Sequence, residues 1–209
     1  MKNRIVLASN NPGKLKEFSA SLSAAGIEMV PQGRLGVTEA EEPFGTFVEN
    51  ALAKARHASR ATGLPALADD SGLCVRALGG APGVHSARYA QLADGTRSDA
   101  ANNARLVADM AGQADRRGCY VAVLVYIRSA DDPRPIVVEG SWDGEVLAEP
   151  RGDNGFGYDP YFYLPDLGMT AAELPLEQKN MLSHRARALR ALLQALRTEY
   201  QPNPATLAS

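Results

Sequence analysis

The order of strand-like and helix-like segments constrains the fold of this chain more than any other feature of its sequence. Residues 120–128 and 135–142 are rich in Val, Ile and Tyr and predict two consecutive β-strands, and residues 144–148 predict a further strand after an Asp-Gly turn. Earlier in the chain, the apolar runs at residues 4–8 and 65–68 each predict a short buried strand. Strands that first alternate with helices and then follow one another directly favour a mixed sheet.

Helix signals lie between and after these strands. Thr46 and Glu49 form a capping box, which predicts a helix that ends before Gly63. Apolar residues at helical spacing predict two further helices over residues 98–112 and 183–200. The pattern therefore predicts the α/β class, with helices that flank a mixed central sheet.

The composition is that of a globular protein rather than of a disordered or fibrous one. Of 209 residues, 45% are apolar and 22% are charged, and no internal repeat or low-complexity linker divides the chain. We therefore expect one domain over residues 1–200, with no boundary between lobes that the sequence can place, and a disordered polar tail over residues 201–209.

The charge balance excludes several classes of partner. The chain has 22 Lys and Arg residues against 24 Asp and Glu residues, whereas a protein that binds nucleic acid or membranes non-specifically needs a basic surface. The longest apolar run has eight residues, and a membrane-spanning helix needs about 20. Cys74 and Cys119 form no CxxC pair. We therefore expect reduced thiols and a cytoplasmic protein with no nucleic-acid or membrane partner.

The segment SNNPGK, residues 9–14, lies between a predicted strand and a predicted helix and could bind phosphate. Asn11 can cap this helix and Pro12 suits its first position, so that free N–H groups, a hydroxyl and amides converge beside one lysine. The segment is not a Walker A loop because Leu15 replaces the Ser or Thr that follows Gly-Lys, and a capped helix with a solvated lysine is the alternative. The candidate phosphate-binding residues are Ser9, Asn10, Asn11, Pro12, Gly13 and Lys14.

Two acidic segments are candidate site elements, and the first of them could supply a metal ligand. Asp69 and Asp70 follow the strand predicted over residues 65–68, and only one of them can face a given site because adjacent strand side chains point to opposite faces. A carboxylate at a strand end of an α/β fold can hold Mg²⁺, which also binds substrate phosphates. The second segment contains Glu39, Glu41 and Glu42. An Asp-rich turn and a solvated run of charges are the alternatives.

Donor side chains on two predicted helices could contact the same ligand. Asn50 and Lys54 lie four residues apart and therefore share one polar face of the helix that follows the capping box. His184 and Arg185 begin the last helix, and Lys179 precedes it. Arginine presents a planar fork of donors, while histidine can donate or accept. A solvated helix face and an ordinary helix start with flanking charges are the alternatives.

A glycine-rich aromatic segment, GFGYDP at residues 155–160, could bind a planar base. The glycines that flank Phe156 leave the face of its ring uncovered, which suits stacking on a flat heterocycle. The candidate residues of this segment are Phe156, Gly157, Tyr158 and Asp159.

Together with their order, these motifs resemble the inosine triphosphate pyrophosphatase family, which includes the dITP/XTP pyrophosphatases. The matching stretches are SNNPGK (9–14), EEPFGTFVENALAKA (41–55), ADDSGL (68–73), GGAPGVHSARY (79–89), GFGYDPYF (155–162), TAAEL (170–174) and SHR (183–185). They cover the chain from its first predicted strand to its last helix. The resemblance implies an elongated, two-lobed mixed α/β fold, a homodimer, and Mg²⁺-dependent release of pyrophosphate from non-standard purine nucleoside triphosphates.

The resemblance also implies roles for single residues. Glu41 and Asp70 match the metal-binding acids, Asp70 matches the catalytic base as well, and Ser71 matches a substrate contact. The residues that match the triphosphate loop and the base pocket are Ser9, Asn11, Lys14, Phe156, Gly157, Tyr158, Asp159, Lys179, His184 and Arg185. Asn10 stands where glycine is common in the family, and His85 stands where an aromatic residue is frequent.

The implied reaction is attack of water on the α-phosphorus of ITP, dITP, XTP or dXTP, which would cleanse the nucleotide pool. Lys14 and Lys54 would offset charge on the leaving pyrophosphate. Donors from His184 and Arg185 would pair with the 6-oxo group that adenine lacks. Three alternatives stay open: a nucleotide-binding regulatory module without turnover, a general phosphatase that removes the terminal phosphate, and a Maf-like nucleotide pyrophosphatase of different base specificity.

Overall fold

The computed structural model describes residues 3–95 and 98–200. The strands are β1 (Asn3–Leu7), β2 (Ile27–Pro31), β3 (Ala66–Val75), β4 (Arg117–Ile127), β5 (Ile136–Val146), β6 (Phe162–Leu164) and β7 (Met169–Thr170). The helices are α1 (Pro12–Ala24), α2 (Phe47–Thr62), α3 (Gln91–Asp94), α4 (Asp99–Asp109), α5 (Leu176–Leu182) and α6 (His184–Tyr200). Over these two ranges, no helix has the length and apolar character needed to cross a membrane.

The described strands form one seven-stranded sheet in the order β2-β1-β3-β4-β5-β6-β7. β1 lies parallel to β2 and β3, and the remaining neighbours are antiparallel. β3 and β4 pair along their whole length, from Ala66 opposite Ile127 to Val75 opposite Gly118. The predicted α/β class with a mixed, helix-flanked sheet is therefore confirmed.

One face of the sheet is covered by α2 through small side chains. Ala55 and Ala58 of this helix pack with Ala66 and Ala68 of β3, and all four are fully buried. Small residues at a helix–sheet contact let the two backbones approach closely. The polar residues next to them on α2, including Lys54, are therefore held near the middle of β3.

The opposite face is covered by α1 and α6. Phe18 and Leu192 pack there with Leu124 of β4, and all three are fully buried. The start of α6 lies directly on β5, because a Cβ atom at Gly140 would come within 2.1 Å of the His184 carbonyl oxygen. This close contact fixes the height of α6 above the sheet.

The predicted caps agree with the structure. Thr46 caps α2, with its hydroxyl accepting from the Glu49 N–H at 3.4 Å and donating to the Glu49 carboxylate at 2.5 Å. Gly63 ends the same helix at φ 68°, in the left-handed region that favours glycine. The predicted cap at Thr46 and the predicted end of the helix before Gly63 are therefore confirmed.

Several strand predictions were too short or missing. β3 continues through Asp69 and Asp70, which lie inside a ten-residue strand rather than after a short one. β5 continues through Asp143 and Gly144, so the separate strand predicted over residues 144–148 is wrong. β2, β6 and β7 were not predicted because they are short and lack clear alternation. The predicted tail over residues 201–209 lies outside the described residues.

Candidate functional site

A cavity of about 860 Å³ opens beyond the end of β1, beside the part of β3 with which β1 does not pair. β1 pairs with β3 only at Ala66 and Leu67, and from Leu73 onwards the same edge of β3 bonds to residues 81–86, so the stretch between them, with Asp69 and Ser71, faces the cavity. Most of the predicted site residues line it. They are Ser9, Asn11, Pro12, Gly13, Lys14, Lys54, Ser71, Phe156, Gly157, Tyr158, Asp159, Lys179, His184 and Arg185. The structure thus brings together residues from the first strand to the last helix.

One edge of β3 opens onto the cavity, and side chains from both faces of this strand contribute to the site. Leu67 accepts the Ala8 N–H at 2.8 Å and Leu73 donates to the Ser86 hydroxyl at 2.9 Å, so these odd-numbered residues bond away from β4. Between them, the Asp69 carbonyl accepts from Lys14 Nζ at 3.3 Å. Alternation within an antiparallel ladder leaves the backbone of Asp69 and Ser71 on the cavity side.

The start of α1 forms a loop with its backbone donors held in place. The side-chain oxygen of Asn11 accepts the N–H groups of Gly13 at 2.9 Å and Lys14 at 3.2 Å, as expected for a helix cap. Asn10 lies outside the cavity lining, where its side-chain oxygen accepts the Gly33 N–H at 2.9 Å, and its contact with substrate stays a prediction. Its observed contact ties the loop to the turn after β2.

Asp69 and Asp70 point to opposite faces of β3 and have different surroundings. Asp69 lies between two cations, with Oδ1 at 2.5 Å from Lys14 Nζ and Oδ2 at 2.9 Å from Arg185 Nε. Its side chain has no exposed surface. Burial opposes its charge, but Arg185 and Lys14 outweigh burial and lower the pKa of the carboxyl group. Asp69 is therefore a charged, fully paired group.

Asp70 has one paired and one unpaired oxygen. Oδ1 lies 2.7 Å from Lys54 Nζ, whereas Oδ2 is buried without a hydrogen-bond partner among the described residues. Burial raises the pKa of this carboxyl group more than Lys54 lowers it. An unpartnered buried carboxylate oxygen is costly unless a ligand, water or cation contacts it. Asp70 is not among the residues that line the cavity but is paired with Lys54, which is, and it has the free oxygen that Asp69 lacks.

Glu42 organises the acidic segment beside Asp70. Its carboxylate lies 2.7 Å from Lys54 Nζ and 2.7 Å from the Arg88 guanidinium. Burial raises the pKa of Glu42, but Lys54 and Arg88 outweigh it and bring the value to about 2. Glu41, the predicted metal ligand, is exposed and lies outside the residues that line the cavity. The assignment of Glu41 to a metal stays a prediction.

Asn50 lies outside the cavity lining, and its predicted contact with phosphate stays a prediction. It is fully buried, and its amide group accepts the Phe44 N–H at 3.1 Å and donates to the Phe44 carbonyl at 3.1 Å. Both ends of the amide thus hold the backbone of the acidic segment that precedes α2. Its observed role is to fix the approach of that segment, while Lys54 on the same helix reaches the cavity.

Phe156 lines the cavity from a loop held by Asp159, and its ring lies beside Gly13 of the loop at the start of α1. Asp159 accepts the Phe156 N–H at 2.8 Å and pairs with Lys179 Nζ at 2.6 Å. Gly155 has φ 80°, and a Cβ atom there would come within 2.1 Å of the Asp159 carboxylate. Lys179 Nζ lies 4.8 Å from the centre of the Phe156 ring. The ring is 38% exposed, which leaves it available for stacking.

His184 is buried beside Tyr120. Its ring stacks on Tyr120 with 4.7 Å between centroids and 7° between planes, and its Nδ1 atom lacks a hydrogen-bond partner among the described residues. Burial and the nearby charge of Arg185 lower its pKa well below the usual value for histidine. His184 is therefore neutral near pH 7, with one ring nitrogen able to donate and the other able to accept.

Sequence reasoning missed residues that hold the predicted ones in place. Glu17 forms an ion pair with Arg185 and lies 3.9 Å from Lys179, and Tyr120 stacks on His184. Glu17 follows Lys14 by one helical turn, which was an available signal that both share a face. Tyr120 gave no signal because its position within a strongly apolar strand is typical of core.

The comparisons with known proteins cover almost the whole chain. A sequence profile of the Ham1 family matches residues 5–195. A dITP/XTP pyrophosphatase of Ralstonia nicotianae is 70% identical over 93% of this chain and 96% of the relative, and one of Nitrosomonas europaea is 61% identical over 93% and 94%. The structure of a HAM1 protein from Coxiella burnetii superposes with a TM-score of 0.87 at 46% identity, covering 93% of this chain and 98% of that chain.

Proposed function

The chain belongs to the Ham1 family, and we propose from this premise that it hydrolyses non-standard purine nucleoside triphosphates to the monophosphate and pyrophosphate. Substrates would be dITP, ITP, XTP and dXTP, whose removal keeps them out of DNA and RNA. The observation that carries the proposal is a cavity lined by the cations Lys14, Lys54 and Arg185 as well as by Phe156 and His184. We assign Lys14 and Lys54 to the phosphate end of the ligand, and Phe156, His184 and Arg185 to its base end.

The two ends suit the two parts of a nucleotide. Lys14, Lys54 and the N–H groups at the start of α1 provide positive charge and donors for a triphosphate. The exposed ring of Phe156 provides a stacking surface for a base. A cavity of about 860 Å³ is large enough for a ligand of this size.

We assign the catalytic carboxylate to Asp70 rather than to Asp69. Asp69 uses both oxygens in ion pairs, whereas Oδ2 of Asp70 is buried and has no partner in the part of the chain that the structure describes. An oxygen in that state can accept a hydrogen bond from water and orient it for attack on the α-phosphorus. Lys54, at 2.7 Å from Asp70, would hold the carboxylate and offset charge that develops on the phosphates.

The same oxygen fits Mg²⁺, which prefers oxygen ligands and usually keeps several waters. We propose that Asp70 and Glu41 hold the ion, because the Glu42 carboxylate is already engaged by Lys54 and Arg88. Within the described ranges, no group of three or more His, Cys, Asp or Glu side chains is arranged to hold a metal, so substrate phosphates and water would complete its shell. When bound, Mg²⁺ lowers the pKa of water and offsets negative charge on phosphate oxygens.

Base selection would come from donors near the purine 6-position. Arg185 donates to Asp69 through Nε and to Ser71 through one terminal nitrogen, and each terminal nitrogen keeps a further N–H group. His184 is neutral and can donate through one ring nitrogen. Hypoxanthine and xanthine present an acceptor at this position, whereas adenine presents an amino donor and leaves the site's donors unpaired.

Product analysis with ITP, ATP and GTP in the presence of Mg²⁺ tests the reaction and the base selection together. We expect IMP and pyrophosphate from ITP and little product from ATP or GTP. Release of orthophosphate and IDP would point to a general phosphatase, and binding of ITP without product would point to a regulatory module. Preference for a pyrimidine or otherwise modified nucleotide would point to Maf-like specificity. Each of these results would overturn the proposal.

The assignment of Asp70 is tested with a matched pair of variants. Asp70→Asn keeps the shape of the side chain and removes its charge, and we expect kcat to fall by about 10²–10⁴-fold, the usual contribution of a general base. Asp132→Asn is the control because Asp132 is also a buried aspartate but pairs with Arg128, whereas Asp70 pairs with Lys54, which lines the cavity. Near wild-type kcat in Asp70→Asn would contradict the assignment.

Three further parts of the proposal follow the family resemblance. We propose a single domain over residues 1–200, a homodimer, and a cytoplasmic location. The free thiols of Cys74 and Cys119 support the last of these, because reduced cysteines are typical of cytosolic proteins. Light scattering of the purified chain tests the dimer, and fractionation of the source cell tests the location.

A further inference from the structure

Asp69 connects two parts of the cavity that are far apart in sequence. One oxygen pairs with Lys14 from the loop at the start of α1, and the other pairs with Arg185, which is 116 residues away at the start of α6. Oδ1 also accepts the Ser71 hydroxyl at 2.9 Å. One carboxylate therefore contacts both the phosphate end and the base end of the cavity.

The contacts of Asp69 fix the direction in which its partners can donate. Lys14 Nζ has three N–H bonds, and it donates to Asp69 through both Oδ1 at 2.5 Å and the backbone carbonyl at 3.3 Å. One N–H bond remains for a ligand. A lysine ammonium is otherwise a freely rotating point charge on a flexible stem, so two fixed contacts to one residue orient it before substrate arrives.

The guanidinium of Arg185 is fixed in the same way. Its Nε donates to Asp69 at 2.9 Å, and one terminal nitrogen donates to Ser71 at 2.8 Å. The other terminal nitrogen donates a hydrogen bond to the Glu17 carboxylate. The N–H bonds that remain on the two terminal nitrogens have fixed directions, because the guanidinium is planar and held on three sides.

We propose that Asp69 is a positioning residue that couples recognition of the base to recognition of the phosphates by orienting Arg185 and Lys14 at the same time. The inference rests on the proposed function, since it assumes a ligand that spans both ends. Asp69 contacts no ligand itself, because its side chain has no exposed surface and both its oxygens are engaged. Without it, two buried cations would lose their shared counter-charge and their orientation.

The test separates the ends by using half-sized ligands. IMP probes the base end and inorganic pyrophosphate with Mg²⁺ probes the phosphate end, each by calorimetric titration. Lys14→Met should weaken pyrophosphate binding alone, and Arg185→Ala should weaken IMP binding alone. Asp69→Asn should weaken both ligands by about 10–100-fold, because Lys14 and Arg185 each lose the contact that orients them, and this loss outweighs the attraction that the added net positive charge exerts on the anionic ligands.

Two controls keep the result interpretable. Asp132→Asn removes another buried aspartate outside the cavity and should change neither affinity. If Asp69→Asn fails to fold, the double variant Asp69→Asn/Lys14→Met removes both members of one buried ion pair, a change that proteins tolerate better than removal of one. Its affinity for IMP should then be about tenfold or more below that of Lys14→Met alone.

The outcomes distinguish this inference from the function on which it rests. Hydrolysis of ITP by the wild-type protein is measured in the same preparation, and its absence overturns the proposed function together with the inference. If the wild-type protein is active and Asp69→Asn, or the double variant, weakens neither ligand, the inference alone is wrong. Weakening at one end only also overturns it, because Asp69 would then act on one cation and couple nothing.

Discussion

The contact between α6 and β5 predicts a large effect from a single methyl group. In Gly140→Ala, the new Cβ atom would lie 2.1 Å from the His184 carbonyl oxygen and 2.5 Å from the Ala188 nitrogen. Both are backbone atoms, so no side-chain rotation can relieve the overlap. Contacts of 3.0–3.4 Å are already tight for a Cβ atom, and the helix must therefore move away by about 1 Å.

The magnitude follows from the cost of overpacking. Extra atoms in a packed core cost about 1–3 kcal/mol, and each kcal/mol lowers Tm by about 2–4 °C in a domain of this size. We therefore expect Gly140→Ala to lower Tm by about 2–12 °C. Because His184 and Arg185 begin the displaced helix, kcat/KM for ITP should also fall by about 10²-fold, as expected for a 1 Å misplacement in an active site.

Circular dichroism melting and IMP release give the two measurements. Gly45→Ala is the control, because a Cβ atom there meets nothing within 4 Å. That variant should retain the Tm and the activity of the wild-type protein. If Gly140→Ala also retains both, α6 does not sit on β5 as described, and the reasoning is refuted.

Three further predictions concern stability. Burial raises the pKa of Asp132, but hydrogen bonds from Arg128 outweigh burial and lower the pKa to about 2. The charged carboxylate therefore stabilises the folded protein fully above its ordinary pKa of 3.8, and this stabilisation is lost as the pH falls through about 2. Asp132→Asn should therefore have a lower Tm than the wild-type protein at pH 7, and this difference should shrink between about pH 4 and pH 2 in thermal melts. Thr46→Ala removes the α2 cap and should lower the free energy of unfolding by about 1 kcal/mol in urea titrations, with an unchanged value contradicting the cap. Asn50→Ala leaves the N–H and carbonyl of Phe44 unpaired and should cost about 1–3 kcal/mol in the same assay, whereas a loss below 0.5 kcal/mol would contradict its bridging role.

The fold class could be predicted from sequence because local patterns decide it. Apolar periodicity placed α6, and the capping residues placed the start of α2 at Thr46. The extent of β3 could not be predicted, because aspartate is depleted in strands and two in succession indicate a turn. These aspartates lie inside the strand because Lys14, Lys54 and Arg185 neutralise them from other elements.

The sequence predicts which residues line the candidate site more fully than it predicts which of their side chains contact each other. The motifs named most of the residues that line the cavity, including Phe156 and Lys14. They did not show that Asn50 holds the Phe44 backbone or that Glu42 is shared by two cations. Such pairings depend on which chain segments meet in space, and separation along the sequence carries no information about them.

Because β3 pairs with β4 in a fixed register, the number of residues in β3 matters as much as their identity for the orientation of Asp69 and Asp70. Asp69 lies opposite Leu124 and Asp70 opposite Val123 in the register of the pair. Deleting one residue just before them would turn each carboxylate to the other face, since side chains alternate along a strand. The paired aspartate would then meet α2 and the unpaired one would meet α1 and α6. We therefore expect evolution to accept substitutions along β3 far more readily than insertions or deletions within it.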